Sequence, residues 1–416
     1  MKTVVLDDDP TGTQSATDVR VLLQWDAQSI GSALTGADSV YIQTNSRALS
    51  ESDAVQLIDD IKTATTLAAA HLGEHVRFVL RGDSTLRGHV FAEIDTIAGP
   101  STVVVFVPAF PDGGRTTEDG VHYLTTASGK IPVDRTEYAA DPVFPFSTAV
   151  LTDYVASKSG RAAQAIPIDM VRGPIEIFVD TLATLPPGTV AIPDAVTNDD
   201  IARIANAVEA ASGAGTDILV RSAAPLAAQL AAVGSAGLLP TPLLDTRPKV
   251  LVVCGSHTTG AAAQLAELEA RHGTAVTLPT QAALDDPNAA ARHVAAEVLE
   301  SLETQALVIL ATERVRRSTD NTLEHGEKVM AALVGAARLV APSVDVVVAK
   351  GGITSAQIAR DSLGATSAQV RGQVLAGVSV WSLATATSAH GTLYVVVPGN
   401  VGGDDTLVKV AAALNL

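Results

Sequence analysis

The chain has 416 residues, with 28 Lys and Arg against 45 Asp and Glu, a formal net charge of −17. So acidic a chain is not expected to offer the broad basic surface that nucleic acid or an anionic membrane requires, and any anionic ligand has to be held by locally placed Arg, Lys or helix N-termini against the overall field. Hydrophobic residues make up 47% and aromatics only 3%, a composition suited to a soluble α/β protein packed with Ala, Val and Leu, and the length suits two or three domains.

Taken in chain order, the first run, TVVL, ends in three consecutive aspartates, Asp7 to Asp9, within LDDDPTGTQ. Adjacent carboxylates repel. Placed together at a strand end they can hold Mg²⁺, accept hydrogen bonds from a polyol or take a proton from a hydroxyl; the plainer alternative is a solvated Asx turn before Pro10. DSVYIQT then runs into a polar turn holding Arg47, with Ser50 or Ser52 placed to cap the helix AVQLIDDIKTATTLAAAHLG. VRFVL runs into Arg81, Asp83, Ser84, Thr85, Arg87 and Gly88. An arginine grips a carboxylate with two parallel hydrogen bonds, although an ion-paired loop has the same composition. TVVVFVPA leads through Pro108 to Gly113, Gly114 and Arg115. Carboxylates suit the hydroxyls of a small sugar-like molecule and arginines suit an acid group on it, so the four strand ends together point to a polyhydroxy acid.

Three prolines in LLPTPLLDTRPK, residues 238–249, precede a fresh series of strands and helices. They set the expected boundary between a domain of 1–240 and a domain of 248–416. KVLVVC, ALVILAT, VDVVVA and TLYVVVPG are the strands of this second half, and GAAAQLAELEARHG is a helix. Three of the strands end in glycine turns that open helices: CGSHTTG with Ser256, KGGITS with Lys350, Gly351, Gly352 and a cap at Thr354 or Ser355, and PGNVGG with Gly399. Backbone N–H groups at such a helix start bind phosphate without a positive side chain, and Lys350 adds a charge. There is no GxxxxGK[ST] and no strand-linked GxGxxG, which weighs against a P-loop enzyme and against a dinucleotide fold. The alternation of strands and helices predicts an α/β fold of two domains, each a mainly parallel sheet flanked by helices, and in such sheets ligands bind beyond the carboxyl ends of the strands.

Other residues receive plainer readings. Cys254 is expected to be a buried small hydrophobe, and as the single cysteine it rules out an intramolecular disulfide or a cysteine-held zinc. His89, His122 and His257 lack metal-ligand spacing, so no protein metal site is expected. No run approaches the ~18 apolar residues of a membrane-spanning helix, and MKTVVLDDD does not resemble a signal peptide; a cytoplasmic protein without membrane or nucleic-acid partners is the expectation, its oligomeric state left open, a homo-oligomer included.

The ordered set DDDPTGTQ, TNSRALSE, RGDSTLRGH, PAFPDGGRTT with DGVHYL, CGS, KGGITS and PGNVGG resembles the four-carbon acid sugar kinase family, from about Leu6 to about Asp405. The resemblance implies an N-terminal sugar-acid domain, a C-terminal ATP domain and an active site in the cleft between them. It implies phosphorylation, with ATP and Mg²⁺, of the terminal hydroxyl of threonate, erythronate or a 3-oxo-tetronate. The family's DDxTG falls on Asp8, Asp9, Thr11 and Gly12, its arginine turn on Arg47, and its DSTLRG on Asp83 to Gly88. Its ATP-contacting serine falls on Ser256, its GG turn on Gly351 and Gly352, and its last glycine loop on Gly399. Thr13 replaces a frequent Ala, and VPGNVGG replaces a KSGNFG-like loop and so lacks its Lys. The candidates are therefore Asp8, Asp9 and Asp83 for proton transfer, Arg47, Ser84, Arg87 and Arg115 for substrate, and Ser256, Lys350, Gly351, Gly352, Thr354 and Gly399 for nucleotide. Rival readings are a non-catalytic sugar-acid sensor and an NAD-dependent sugar-acid dehydrogenase.

Overall fold

The computed structural model describes every residue except 9, 127–128, 236, 315–322, 386–387 and 400, and leaves aside the side chains of 323 and 388–391. The chain divides into two compact units, Met1–Gly234 and Ser235–Leu416.

The first unit carries β1 (Lys2–Asp7), β2 (Arg20–Leu22), β3 (Ser39–Gln43), β4 (Val76–Arg81), β5 (Val103–Val107), β6 (Arg115–Glu118), β7 (Val121–Thr126), β8 (Gly129–Pro132), β9 (Ala163–Ile166), β10 (Val190–Pro193) and β11 (Ile218–Ser222). Eight of these form a parallel array in the order β2-β3-β1-β4-β11-β5-β10-β9, and β6-β7-β8 form a separate antiparallel sheet. Central parallel strands are covered on both faces, so they read as unbroken apolar runs; Val4, Val5 and Leu6 of β1 are all buried.

The helices begin where the local chemistry says they should. Asp26 and Ser29 make a reciprocal capping box ahead of α1 (Ala27–Thr35). Ser50 caps α2 (Glu51–Leu72), which ends on Gly73 in the left-handed region. The eight-residue α3 (Val90–Ile97) follows the RGDSTLRG loop directly. From β1 the chain builds β2 and β3 on one side, then returns through α2 to place β4 on the other side of β1. The connections therefore diverge between β1 and β4, and this switch point is where an open α/β sheet leaves a crevice at its carboxyl edge.

The second unit holds β12 (Val250–Cys254), β13 (Val276–Leu278), β14 (Leu307–Thr312), β15 (Val346–Lys350), β16 (Ala365–Leu375), β17 (Val378–Thr385) and β18 (Ser388–Val397), in the order β13-β14-β12-β15-β18-β17-β16. The pairs from β13 to β18 are parallel, whereas β18-β17 and β17-β16 are antiparallel. The β16–β17 pair is absent from the apolar runs picked out in the sequence. In β16 buried residues are interspersed with intermediate and exposed ones, so it shows none of the continuous hydrophobicity of its parallel neighbours. Ser355 and Thr354 also differ from expectation. They lie inside the helix Gly352–Gln357 and the cap position is Gly351, whose φ of 109° favours glycine.

Candidate active site

At the β1–β4 switch point the two strand ends bring opposite charges together. Arg81, at the end of β4, is buried and donates from Nη1 to Oδ1 of Asp7 at 3.0 Å and to Oδ1 of Asp8 at 3.2 Å, and from Nη2 to Thr11 Oγ1 at 3.0 Å. Burial pushes the Asp7 carboxyl up to about 7; Arg81 opposes the shift and the neighbouring Asp8 adds to it. Asp8 is turned differently. Its Oδ2 takes no hydrogen bond, with Arg47 Nε at 3.5 Å and Arg221 Nη2 at 3.7 Å. Asp9 lies outside the described residues.

Arg47 reaches this point from the short turn Ser46–Ala48 that follows β3, and its Nη1 also lies 3.8 Å from Asp83 Oδ2. Arg87 donates from Nε to the same Asp83 oxygen at 2.8 Å. Burial alone would raise the Asp83 carboxyl, but Arg87 and Arg47, with hydrogen bonds from Arg87 and Thr85, outweigh it and hold the group well below the usual carboxylate range. Asp83 is thus a fixed anion that aims two guanidiniums. Those two retain some exposure, 11% for Arg47 and 19% for Arg87, whereas Arg81 and Arg221 keep 2% each. The far side of Arg87 faces Asp141 at 3.7 Å and the ring of Tyr138 at 4.9 Å. Arg115 is buried, donates to the Gly113 carbonyl and shares a hydrogen bond with Tyr138.

The loop carrying Asp83, Ser84 and Arg87 is pinned from below. His122 in β7 donates from Nε2 to the Ser84 carbonyl at 2.9 Å, which leaves Nδ1 to accept from Thr117 Oγ1 at 3.0 Å. Burial lowers this imidazole to about 4, consistent with the neutral tautomer that pattern needs. Tyr154 donates to the Leu86 carbonyl at 2.9 Å, and Leu86 itself sits at φ 67°, a strained conformation for a branched side chain that the two anchors help to hold.

In the second unit β12, β15 and β18 are neighbours, so their three glycine turns converge. A methyl on Gly255 would lie 2.5 Å from Thr354 Oγ1, one on Gly351 3.3 Å from Ser256 Cβ, and one on Gly399 3.1 Å from Ser256 Oγ. Thr258, which caps the 14-residue helix Thr259–His272, donates to the Gly399 carbonyl at 2.9 Å. Ser256, Gly351, Gly352, Thr354 and Gly399 therefore share one small region with helix-start amides beside it, a donor set that fits phosphate. Lys350 is buried and gives its ammonium to the Pro398 carbonyl at 2.6 Å. Among the described residues no group of three or more His, Cys, Asp or Glu is placed to hold a metal ion, and no helix is long and apolar enough to cross a membrane.

Among the participants not singled out from the sequence are Arg221 and Glu93, which pair with each other. Each is a charged residue inside an otherwise apolar run, ILVRS and VFAEI, and that interruption is the signal of a buried pair.

One α/β unit that collects guanidiniums around carboxylates, joined to another that collects glycine turns, has the division of labour of a sugar-acid kinase. Residues 3–230 match the model of a sugar-binding N-terminal domain and residues 251–407 that of a nucleotide-binding C-terminal domain. The chain is 31% identical over 434 residues to a D-threonate kinase of Bordetella bronchiseptica, covering 99% of this chain and 96% of that one. It is 32% identical over 284 residues to a D-erythronate kinase of Heliobacterium modesticaldum, covering 66% of this chain and 61% of that one. The chain belongs to the four-carbon acid sugar kinase family. The solved structure of Haemophilus influenzae HI1011 has the same fold, with a TM-score of 0.62 at 17% identity over 99% of this chain and all of that one. A Salmonella typhimurium LT2 protein gives 0.68 at 18% identity over 98% of each chain; at such identities the likeness concerns the fold alone.

Proposed function

We propose that the protein transfers the γ-phosphoryl group of ATP to the terminal hydroxyl of a four-carbon sugar acid such as D-threonate, D-erythronate or a 3-oxo-tetronate. The observation that supports this most directly is the pair of partly exposed guanidiniums, Arg47 and Arg87, set beside the buried carboxylates of Asp8 and Asp83. The guanidiniums suit the acid end of the substrate and the carboxylates its hydroxyls. The names of the relatives supply the four-carbon length.

In this reading Arg47 and Arg87 bind and orient the sugar acid, with Ser84 beside them and Arg115 supporting from behind. Asp83 stays anionic and keeps the two arginines aimed. Asp8 accepts the proton of the attacking hydroxyl through Oδ2, the oxygen that Arg81 leaves alone, and Asp9 is the second candidate for that role. The new bond joins the substrate oxygen to phosphorus, the bridging P–O bond to ADP breaks, and the proton passes to the carboxylate. ATP brings the phosphoryl group, and Mg²⁺ bound with its phosphates would supply charge neutralisation there. Ser256, Gly351, Gly352, Thr354 and Gly399 would hold its phosphates through backbone and hydroxyl donors, while Lys350 supports the Pro398–Gly399 turn from inside.

The test is ADP release with a panel of D- and L-threonate, D- and L-erythronate and 3-oxo-tetronates, with ³¹P NMR to locate the new ester. Turnover on at least one, esterified at the terminal carbon, is expected. Tight binding of a tetronate with no ADP release would instead favour a sensor. In a crystal soaked with a non-hydrolysable ATP analogue, phosphates are expected beside Ser256, Gly351 and Gly399; density beside Asp8 and Asp83 would reverse the assignment of the two domains.

A further inference from the structure

Arg221 stands at the end of β11, two strands from β1, and is buried. Its guanidinium crosses directly over Gly82: a methyl there would lie 2.5 Å from Nη2 and 2.7 Å from Cζ and Nε. Nη1 donates to Glu93 Oε2, and the other oxygen of Glu93 accepts from Ser46 Oγ at 2.5 Å. Glu93 is itself buried, on α3, and Ser46 lies in the turn that carries Arg47. Arg221 is therefore fixed on one side by a fully satisfied carboxylate. Its Nη2 makes no hydrogen bond and faces Asp8 Oδ2 at 3.7 Å, which makes none either. Both atoms flank Gly88, where a methyl would lie 3.4 Å from Asp8 Oδ2 and 3.6 Å from Arg221 Nη2.

We infer that Arg221 is a positioning residue for Asp8, an inference that rests on the kinase reading above. Arg81 holds Asp8 Oδ1, and Arg221, anchored through Glu93 and Ser46, stands against Oδ2 and fixes the rotation of the carboxylate. The oxygen so placed keeps its acceptor capacity for a substrate hydroxyl. Gly82 belongs to the same device, because only a residue without Cβ lets the guanidinium cross at that height.

The wild-type enzyme is assayed first on the tetronate panel with ATP. Then Gly82→Ala, Arg221→Met combined with Glu93→Gln so that no buried charge is left unpaired, and the combination of all three are compared with it. A misplaced reacting group costs on the order of a hundredfold in rate. Gly82→Ala and the R221M/E93Q pair should each lose roughly that much kcat, with KM for the sugar acid and for ATP within about threefold of wild type. The triple variant should be no worse than the poorer of the two, since with Arg221 gone the methyl at 82 has nothing to displace. Arg221→Lys keeps the charge opposite Glu93 but cannot reach Glu93 and Asp8 together, and should show the same kcat defect even where Gly82→Ala does not fold. Multiplying losses, an unchanged kcat, or a loss confined to the KM of the sugar acid each overturn the assignment. A wild type inactive on every tetronate sinks the kinase reading itself, and with it this inference.

Discussion

Gly12 and Asp7 fit each other so closely that a methyl on Gly12 would lie 2.1 Å from Asp7 Oδ1 and 2.3 Å from its Cγ. The carboxylate is folded under the turn that follows β1, and the glycine of DDxTG is what makes room for it. Gly12→Ala must push the turn outward or swing Asp7 off Arg81. Either response costs about 1–3 kcal/mol, so thermal melts should show a clear loss of stability, together with weaker binding of the sugar acid. Unchanged melting would mean that the turn relaxes freely and that the close approach has no consequence.

Arg47→Ala and Arg87→Ala should each weaken the sugar acid by about 1.5–3 kcal/mol, the contribution of a hydrogen bond to a charged group. Apparent KM for the sugar acid then rises roughly ten- to a hundredfold, and KM for ATP stays put. Arg115→Ala should behave otherwise. That guanidinium is buried and bonds the Gly113 carbonyl and Tyr138, so its loss should lower stability more than it changes substrate KM. Steady-state kinetics beside melting curves separate the two outcomes.

Asp8→Asn keeps the size and one acceptor but cannot take a proton. It should lose roughly 10²–10⁴-fold in kcat, with little change in KM for ATP. Asp83→Asn removes the anion that aims Arg47 and Arg87, so its defect should fall first on KM for the sugar acid. If the two variants show the same pattern, the separation of roles between the aspartates is wrong. A loss in Asp8→Asn confined to KM would make Asp8 a hydroxyl clamp, in keeping with a loose transition state that needs little activation of the nucleophile.

Lys350 gives a pH-dependent prediction in the second unit. Burial lowers its ammonium to about 8, while an unfolded lysine keeps its proton to about 10.4. Between these values the unfolded chain binds more protons than the folded one, so stability rises with pH across that window. The buried charge therefore penalises folding below about pH 8, and the penalty fades toward pH 10. Lys350→Met removes this titration while leaving the Pro398 carbonyl without its donor. The stability of the variant relative to wild type should be most favourable at neutral pH and should decline as pH passes from 8 to 10. A difference that is flat with pH would mean that Lys350 is not buried as a charge.

How much of this was legible follows from what kind of interaction each feature needs. TVVL, KVLVVC and VDVVVA declare themselves because a parallel strand covered on both faces is apolar over nearly all its length, a constraint that acts residue by residue along the chain. The aspartates at the end of β1, Arg47 and the DSTLRG loop stand out for the converse reason, as polar groups concentrated where such strands stop. The glycine turns before the helices at 259 and 352 are local too, since they answer to backbone sterics.

What the tertiary structure decided is which of these groups meet. That Arg81 takes both Asp7 and Asp8, that Arg47 reaches Asp83, and that Arg221 reaches Asp8 depends on β3, β1, β4 and β11 lying side by side. These contacts span 73 residues from Asp8 to Arg81 and 213 from Asp8 to Arg221. The role of Gly82 is the clearest case. In the sequence it is a glycine in a loop; in the fold it is the gap through which an arginine from a distant strand passes. Side-chain chemistry and hydrophobic period are properties of short stretches and can be read in one dimension. Strand order is fixed by burying all the apolar faces at once, and the pairing of buried charges follows from it, because a guanidinium taken out of water must find its carboxylate among whatever the packed sheet brings near.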